Sequence, residues 1–381
     1  MKTTTSDLPK NLLCFSHLRW DFVFQRPQHL LSRFAKEVNV FFLEEPIFDA
    51  EVQESISVDK RTDNLTILRP RLKGGLDHEQ VQSAIKGLLA NFLSDEDLED
   101  WVFWYYTPMA LQFSDQYKPA LVVFDCMDEL SAFDFAPKDL VLMEKKLMQT
   151  ADVVFTGGYS LYEAKKHQHN NIYAFPSSID EAHFAAARSA GAEPDDQAQI
   201  LGVKLGFFGV IDERFDVDLI DYIASKRPEW QLILLGPVVK ISNESLPRRK
   251  NIHYLGKKTY DQLPAYLAGW DIALIPFKMN DSTRFISPTK TPEYLAAGVR
   301  VVSTPIRDVV KPYGIARLVG IAEEPDEFIA AVEYELNAED RKEWLSDVDL
   351  FLKDKSWDHT FLDMKQQLLA SLGHSKALIA S

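Results

Sequence analysis

Short apolar runs alternate with amphipathic stretches along the chain, and the alternation occurs twice. A short apolar run is typical of a buried strand, and hydrophobic residues three to four positions apart are typical of a helix. Strands and helices in alternation predict parallel βαβ units with right-handed crossovers. The first half is expected to contain strands at 11–16, 38–43, 65–68, 101–106, 120–125, 152–156 and 172–175, with helices at 27–36, 81–92, 108–117, 138–149 and 159–167.

The alternation begins again after residue 200. Residues 185–199 are rich in Ala, Gly, Asp and Pro and have no periodic apolar face, so they are predicted to be an accessible linker. The pattern therefore predicts an α/β protein with one Rossmann-like domain at 1–184 and another at 200–355. The second is expected to contain strands at 204–208, 231–235, 252–254, 271–276, 299–303 and 316–319, with helices at 215–226, 260–268, 288–297 and 324–336.

The segment from Ile286 to Gly298 combines a loop, a short helix and a helix stop. Ser287 and Pro288 suit the cap and the first helical position. Pro292 has no N–H, so the regular hydrogen-bond ladder is expected to begin near Thr291. The amides of residues 289–291 would then be free to bind an anion.

Lys290 and Glu293 further support the interpretation that this segment binds an anion. A cation in the first turn of a helix opposes the helix dipole, and a bound phosphate would reverse that penalty. Glu293, about one turn later, could accept hydrogen bonds from sugar hydroxyls. The alternative is an ordinary surface helix that carries a Lys–Glu pair.

The run Ser287-Pro288-x-Lys290-x-x-Glu293-Tyr294-Leu295-Ala296-Ala297-Gly298 resembles the nucleotide-sugar segment of retaining GT-B glycosyltransferases of the group 1, or family 4, type. The resemblance implies two Rossmann-like domains with parallel sheets facing a central cleft, and a C-terminal helix at 356–373 that joins the first domain. It also implies that Ser287, Thr289, Lys290 and Glu293 bind the donor, with Glu293 on the ribose. The family's earlier glutamate would fall on Phe285, a departure that bears on contacts with the donor sugar.

The loop after the first strand of the second half, Gly206 to Phe215, is similar to the family's first C-terminal-domain loop. There an Arg and a Lys clamp the donor diphosphate. Gly209 would let the backbone approach the ligand, and Arg214 is the only basic residue on the loop, because the family's Lys is absent. Arg214 and Lys290 would do the electrostatic work that a metal does in other transferases, so neither a divalent ion nor another cofactor is expected.

Gly256 matches the family's base-facing turn by position. A plain turn after a strand explains this glycine equally well.

The loop after the first strand of the chain is rich in polar and aromatic residues. Ligands bind at the carboxyl edge of a parallel sheet, so Arg19, Trp20 and Arg26 are expected on the acceptor side. A loop packed under the second domain is the alternative.

Asp125 and His17 are the candidate catalytic residues of the first domain. Asp125 follows a buried strand, where family members often carry a His that faces the reacting sugar. Asp128 is the second candidate at this point, and either carboxylate could simply cap the next turn.

Composition narrows the class of protein. The 381 residues suffice for two domains, the 46% hydrophobic content is ordinary for a globular protein, and no apolar run approaches the roughly 20 residues of a membrane span. The polar N-terminus predicts a cytoplasmic location.

A net charge of −15 argues against nucleic-acid binding. Basic patches at 60–61 and 69–73 could contact a membrane peripherally, or could be solvated loops.

The predicted function is retaining transfer of a sugar from a nucleotide-diphosphate sugar to a hydroxyl of a sugar or glycolipid acceptor, in cell-surface polysaccharide or glycolipid synthesis. One alternative is a GT-B nucleotide-sugar epimerase or a phosphorylase, although no cofactor lysine for a phosphorylase is identifiable. The other is a degenerate GT-B subunit that binds nucleotide or a partner transferase without turnover. Phe285 and the missing loop cations favour the degenerate subunit, and the intact Lys290–Glu293 segment disfavours it.

Overall fold

The structure, a computed structural model, describes residues 8–133 and 136–379, with side chains through Gly373. The described chain divides into two compact units. The first contains the residues up to Gly157, Leu161–Phe175 and the residues from Asp358 onward, and the second contains Gly158–Ser160 and Pro176–Trp357. The chain thus passes from the first unit to the second at Phe175 and returns at Asp358.

The elements of the first half alternate as the pattern predicts. Their bounds are β1 Asn11–Phe15, α1 Arg26–Phe34, β2 Asn39–Leu43, β3 Ser55–Thr62, β4 Leu65–Arg71, α2 His78–Phe92, β5 Trp101–Tyr105, α3 Leu111–Ser114, β6 Leu121–Cys126, α4 Leu140–Thr150, β7 Val153–Thr156, α5 Tyr159–Lys165 and β8 Ile172–Ala174.

In the described residues these strands form one eight-stranded sheet, in the order β3-β4-β2-β1-β5-β6-β7-β8. All neighbouring strands are parallel except β3 and β4. The central strands are mostly apolar, as is typical of a parallel sheet with helices on both faces, although β6 contains the buried Asp125. β1 begins this core, and its Leu13 and Cys14 are fully buried.

Strand β3 is absent from the sequence prediction. It is an edge strand whose residues are exposed or half-buried, and it carries Asp59, Lys60 and Arg61. Charged edge strands of this kind resist pairing with other chains, and they lack the apolar run by which a buried strand is recognised.

The second half continues the alternation. Its elements are α6 Glu181–Ala185, α7 Asp195–Ala198, β9 Val203–Phe208, α8 Val217–Lys226, β10 Trp230–Leu235, β11 Ile252–Gly256, α9 Leu263–Leu267, β12 Ile272–Ile275, α10 Lys290–Ala296, β13 Arg300–Ser303, α11 Arg307–Val309, β14 Val319–Ile321, α12 Pro325–Leu336, α13 Arg341–Leu352 and α14 Trp357–Ile379.

The sheet of the second unit is parallel throughout the described strands, in the order β11-β10-β9-β12-β13-β14. The loops after β9, β10, β11, β12 and β13 therefore leave from one edge of the sheet. Ligands of open parallel sheets bind outside this carboxyl edge. The last strand lies at 319–321 and not at 316–319, because residues 315–317 form a turn in which Arg317 has a φ of +57°.

The structure differs from the linker prediction at residues 185–199. It contains the end of α6, a 3₁₀ turn and α7, and it packs into the second unit. Gln197 is fully buried, donates to the Tyr266 carbonyl at 2.8 Å and accepts from Trp270 Nε1 at 2.9 Å. The Arg188 side chain donates to the Ala296 carbonyl at 2.7 Å. These short helices present no periodic face, so the pattern missed them.

The C-terminal helix α14 packs on the first unit. The Phe361 ring meets Phe34 of α1 edge to face at 4.8 Å, and Ser371 Oγ accepts from the Asn171 side chain at 2.9 Å. No helix of the described residues is both long enough and apolar enough to cross a bilayer.

Candidate functional site

Three glycines with positive φ follow adjacent strands of the second sheet. Gly209 (φ +140°), Gly236 (φ +141°) and Gly256 (φ +72°) lie at the carboxyl ends of β9, β10 and β11. The Gly209 amide donates to the Leu235 carbonyl and the Gly236 amide to the Gly256 carbonyl, both at 2.9 Å. A Cβ built at Gly236 would lie 1.8 Å from the Gly209 oxygen, so the two loops can approach only because residue 236 is glycine.

The sequence predicts Gly209 and Gly256 as donor-binding residues, whereas it does not single out Gly236. Its position directly after a buried strand is the same pattern that singled out Gly209.

The Lys290 side chain lies across the backbone of Gly209. A Cβ built at Gly209 would fall 2.3 Å from Lys290 Cε and 2.7 Å from Nζ. The ammonium is also 5.5 Å from the ring centres of both Phe207 and Phe277. Aromatic faces attract a cation at this distance. Lys290 is thereby fixed at the carboxyl edge of β9.

Glu293 lies one helical turn after Lys290 on α10. The residue is 5% exposed, and its Oε2 atom has no hydrogen-bond partner. Burial raises the pKa of the Glu293 carboxyl to about 8, and the Lys290 ammonium opposes this shift. An unpartnered buried carboxyl oxygen carries a desolvation cost that a hydroxyl partner would remove. The site therefore suits a ligand that brings hydroxyl groups next to an anion held by Lys290.

The start of α10 corrects two predictions. The helix begins at Lys290 with Thr289 as its N-cap residue, so Ser287 and Pro288 are neither the cap nor the first helical residue. The Thr291 amide donates to the Pro288 carbonyl at 3.2 Å and is not free for an anion. The Ser287 carbonyl accepts from Ser177 Oγ at 2.8 Å.

Arg214 is held by a neighbour in its own loop. Its Nε atom is 3.1 Å from both carboxylate oxygens of Asp212, and its Nη2 atom is 2.6 Å from one of them. Asp212 is 4% exposed, and the Arg214 side chain is 22% exposed. A fork-like pairing of this kind orients the guanidinium. The role of Asp212 is absent from the sequence-based predictions, although a carboxylate two residues before an arginine in a turn could have suggested it.

Two predicted residues of the first unit form a buried ion pair. Asp125 is fully buried, Arg26 is 5% exposed, and the Arg26 Nη2 atom is 2.9 Å from Asp125 Oδ1. Arg26 Nη1 also donates to the Phe175 carbonyl at 2.7 Å. Burial lowers the pKa of the Arg26 guanidinium, but Asp125 more than compensates and the pKa is raised. The two charges therefore neutralise each other inside the first unit, while the catalytic role predicted for Asp125 and the acceptor role predicted for Arg26 stay predictions.

Glu44, which the sequence analysis did not single out, organises the loop that carries Arg19 and Trp20. The Trp20 amide donates to Glu44 Oε1 at 2.7 Å, and Arg19 Nη1 lies 3.3 Å from Glu44 Oε2. Arg19 Nη2 also donates to the Pro46 carbonyl at 3.0 Å. His17 is half-buried at the start of this loop. The loop is therefore ordered by contacts within its own unit.

The basic patch at 69–73 is neutralised in part. Arg69 pairs with Glu44 at 2.7 Å and with Asp59 at 3.2 Å, and Arg71 pairs with Asp49 at 2.8 Å. Each of the two arginines thus has a carboxylate beside it, but the Arg71 side chain is still 47% exposed, and peripheral membrane contact stays a prediction. Across residues 8–133 and 136–379, no group of three or more His, Cys, Asp or Glu is arranged to hold a metal ion.

Comparison with solved structures identifies the fold as GT-B. A sucrose-phosphate synthase from Thermosynechococcus elongatus superposes with a TM-score of 0.71, covering 98% of this chain and 100% of that chain at 11% identity. A trehalose-6-phosphate protein from E. coli, bound with UDP-2-fluoro glucose, has a TM-score of 0.70 over 94% of this chain and 99% of that chain at 12% identity.

Sequence comparison relates the part of the chain that carries the site to glycosyltransferases. Residues 202–337, within the second unit, match the family described as glycosyl transferases group 1. A Bacillus subtilis protein, whose name assigns it to teichuronic acid biosynthesis as a glycosyltransferase, is 27% identical over 249 residues. The match spans 60% of this chain and 62% of that relative.

Proposed function

We propose that this protein is a retaining glycosyltransferase that moves a sugar from a nucleoside diphosphate sugar to a hydroxyl of a saccharide or glycolipid acceptor in the synthesis of a cell-surface polysaccharide. The observation that carries the proposal is the unpartnered, buried Oε2 atom of Glu293 beside the fixed cation of Lys290. A diphosphate on Lys290 would bring a ribose and its hydroxyls to this carboxylate. The group 1 domain and the name of the Bacillus subtilis relative support the same conclusion.

The reaction needs few groups from the chain. Lys290, and Arg214 as oriented by Asp212, stabilise the negative charge that develops on the leaving diphosphate. The departing phosphate takes the proton of the acceptor hydroxyl on the same face of the sugar, so the configuration at the anomeric carbon is kept. No protein nucleophile is required, which agrees with the enclosure of Asp125 by Arg26. The nucleotide sugar is a substrate, and we propose no further cofactor.

Nucleotide binding and transfer are tested separately. The thermal unfolding of the full chain is measured with UDP, GDP, ADP and CDP, and then with the corresponding nucleotide sugars. UDP comes first because a structural neighbour binds UDP-2-fluoro glucose. Stabilisation by one diphosphate and release of that diphosphate with an acceptor present are expected. Absence of stabilisation by every nucleotide would contradict the proposal.

A binding subunit without turnover is the second candidate. Phe285 favours it, because this half-buried aromatic, 5.3 Å from the Arg284 guanidinium, stands where the resemblance places a carboxylate. Stabilisation by a nucleotide sugar, without hydrolysis or transfer over a broad acceptor panel, would favour the binding subunit.

A further inference from the structure

The connection between β13 and β14 carries three cations that form no ion pair. Arg307, Lys311 and Arg317 are exposed, and none of them pairs with a carboxylate in the described part of the chain. The one acidic residue of this connection is Asp308, which is 4% exposed and accepts hydrogen bonds from the amide and the hydroxyl of Ser160. The connection is therefore locally basic, although the whole chain has a net charge of −15.

An exposed aliphatic side chain lies among these cations. Ile315 is 68% exposed. The Ile315 amide donates to the Val310 carbonyl at 3.0 Å, which brings it next to Lys311, and the Arg317 amide donates to the Gly314 carbonyl at 2.9 Å. A single exposed aliphatic residue is ordinary on a protein surface, so its combination with the unpaired cations is the informative feature.

The opposite side of this connection is fixed in the second unit. Tyr313 is buried, and its ring lies 5.2 Å from the Phe351 ring. The Leu318 carbonyl accepts from Trp344 Nε1 at 3.3 Å. The exposed side chains therefore project from a packed segment, and little backbone ordering would remain for a partner to impose.

Arg317 occupies a position that favours glycine. Its φ is +57°, and the Leu318 amide donates to the Tyr313 carbonyl at 3.0 Å, which is the longer hydrogen bond of a Schellman motif. The residue with positive φ in this motif is usually glycine, because a side chain there is strained. The chain thus keeps a cation at a position where glycine would suit the fold better. An outlier of this kind points to a function for the side chain.

We propose that Arg307, Lys311, Ile315 and Arg317 form a docking surface for a bilayer that contains anionic lipids. The three cations meet lipid phosphates, and Ile315 enters the apolar boundary beneath them. A bilayer fits better than a soluble polyanion, which offers nothing apolar for Ile315 to contact. The proposal goes beyond the proposed function and does not depend on it.

The expected strength of docking follows from the number of cations. Each basic residue near an anionic bilayer strengthens binding about fivefold, so three of them strengthen it about a hundredfold. Salt screens such contacts, because the Debye length is only about 10 Å at 0.1 M ionic strength. Docking is therefore expected to be reversible and sensitive to salt.

The two basic patches for which the sequence predicts membrane contact differ from the docking surface. Four of their cations, Lys60, Arg61, Arg69 and Arg71, each form an ion pair with a carboxylate of the first unit. A cation with a carboxylate beside it attracts an anionic surface less than an unpaired one does. The docking surface is consequently the better candidate for contact with lipid phosphates.

Co-sedimentation of the full chain with vesicles tests the docking surface. Vesicles of phosphatidylcholine alone are compared with vesicles that also contain phosphatidylglycerol, at low and high salt. Wild type should bind only the anionic vesicles and should be released by salt. The triple variant Arg307→Gln/Lys311→Gln/Arg317→Gln should bind them about a hundredfold more weakly. Ile315→Ser should weaken binding severalfold and leave its salt dependence unchanged.

Two further variants control for net charge and for the fold. Lys60→Gln/Arg71→Gln/Lys73→Gln removes the same net charge from the first unit and should bind vesicles as wild type does. Arg317→Gly should weaken vesicle binding about fivefold. It should also unfold at the wild-type temperature or above it, since glycine adopts a φ of +57° without strain.

Equal vesicle binding by wild type and the triple variant of the docking surface would overturn the proposal. Wild-type binding to neither kind of vesicle, or equally to both, would also overturn it. A larger loss in the first-unit control would place the contact there instead. Weaker binding of Arg317→Gly with a lower unfolding temperature would assign Arg317 to the fold and remove it from the surface. Calorimetric binding of soluble glycerol phosphate as tight as the binding of vesicles would replace the bilayer with a small anion.

Discussion

The Lys290 side chain fills the space that a side chain at Gly209 would need, with Lys290 Cε only 2.3 Å from a Cβ built there. Gly209→Ala should therefore displace the ammonium from its position beside Phe207 and Phe277. We expect nucleoside diphosphate affinity to fall by about 1–3 kcal/mol, as in Lys290→Ala. The double variant should lose little more than either single variant, because both changes remove one interaction.

Gly202→Ala is the matched control for backbone strain. Gly202 also has a positive φ, +109°, but a Cβ there would come no closer than 3.4 Å to the Glu229 oxygen. The Gly202→Ala substitution should lower the free energy of unfolding and leave the affinity for nucleoside diphosphate unchanged. Calorimetry measures nucleoside diphosphate binding to the four variants. If the affinity losses of Gly209→Ala and Lys290→Ala are fully additive in the double variant, the two positions act separately.

Glu293 is expected to lower stability at alkaline pH. Its folded pKa of about 8 lies above the ordinary value of 4.5, so between these values the folded state holds a proton that the unfolded state has released. The free energy of unfolding should consequently fall as pH rises through this window. Glu293→Gln cannot titrate and should be more stable than wild type near pH 9, with the difference shrinking toward pH 5.

Urea unfolding from pH 5 to pH 9 measures this difference. Glu339→Gln, at an exposed position, controls for the loss of one negative charge. If the stability difference between Glu293→Gln and wild type does not change with pH, the buried carboxyl is not responsible.

The buried pair of Arg26 and Asp125 is expected to affect the stability of the first unit. Asp125→Ala leaves the Arg26 charge buried without its partner and should lower the free energy of unfolding by about 3–5 kcal/mol. The double variant Arg26→Met/Asp125→Leu should recover most of that loss, since it removes both charges. An Asp125→Ala protein with wild-type stability and no turnover would restore Asp125 as a catalytic candidate.

The strands of both sheets were largely predictable from the sequence. Buried parallel strands such as β1 and β9 are continuous apolar runs, and this pattern is local. Strand β3 was missed because it is an exposed edge strand, and α7 was missed because its burial depends on Gln197 reaching Tyr266 and Trp270, which no periodicity records.

Within the candidate site, local patterns predicted individual residues but not their contacts. Lys290 and Glu293 share one short motif, whereas Gly236 is required only because the Gly209 oxygen lies against it. The pairing of Arg26 with Asp125 joins residues 99 positions apart and depends on the order of strands in the sheet. Composition and spacing carry no information on either contact.

Turnover should not depend on a divalent ion. If Lys290 and Arg214 neutralise the leaving diphosphate, the rate of diphosphate release should be the same with and without EDTA. Activity lost in EDTA and restored by magnesium or manganese would assign that charge to a metal instead.

The central claim is that Glu293 accepts the ribose hydroxyls of the donor, and calorimetry with ribonucleoside and 2′-deoxyribonucleoside diphosphates tests it most directly. In Glu293→Gln the ribonucleotide should lose more affinity than its deoxy analogue, because the analogue never made one of the hydrogen bonds to Glu293. In Glu293→Ala the ribonucleotide should lose more affinity than it does in Glu293→Gln. The contrast should be larger at pH 9 than at pH 7, since the carboxyl is mostly ionised only above its pKa of about 8. Equal losses for the two sugars, or no loss at either pH, would contradict the account and place the ribose elsewhere.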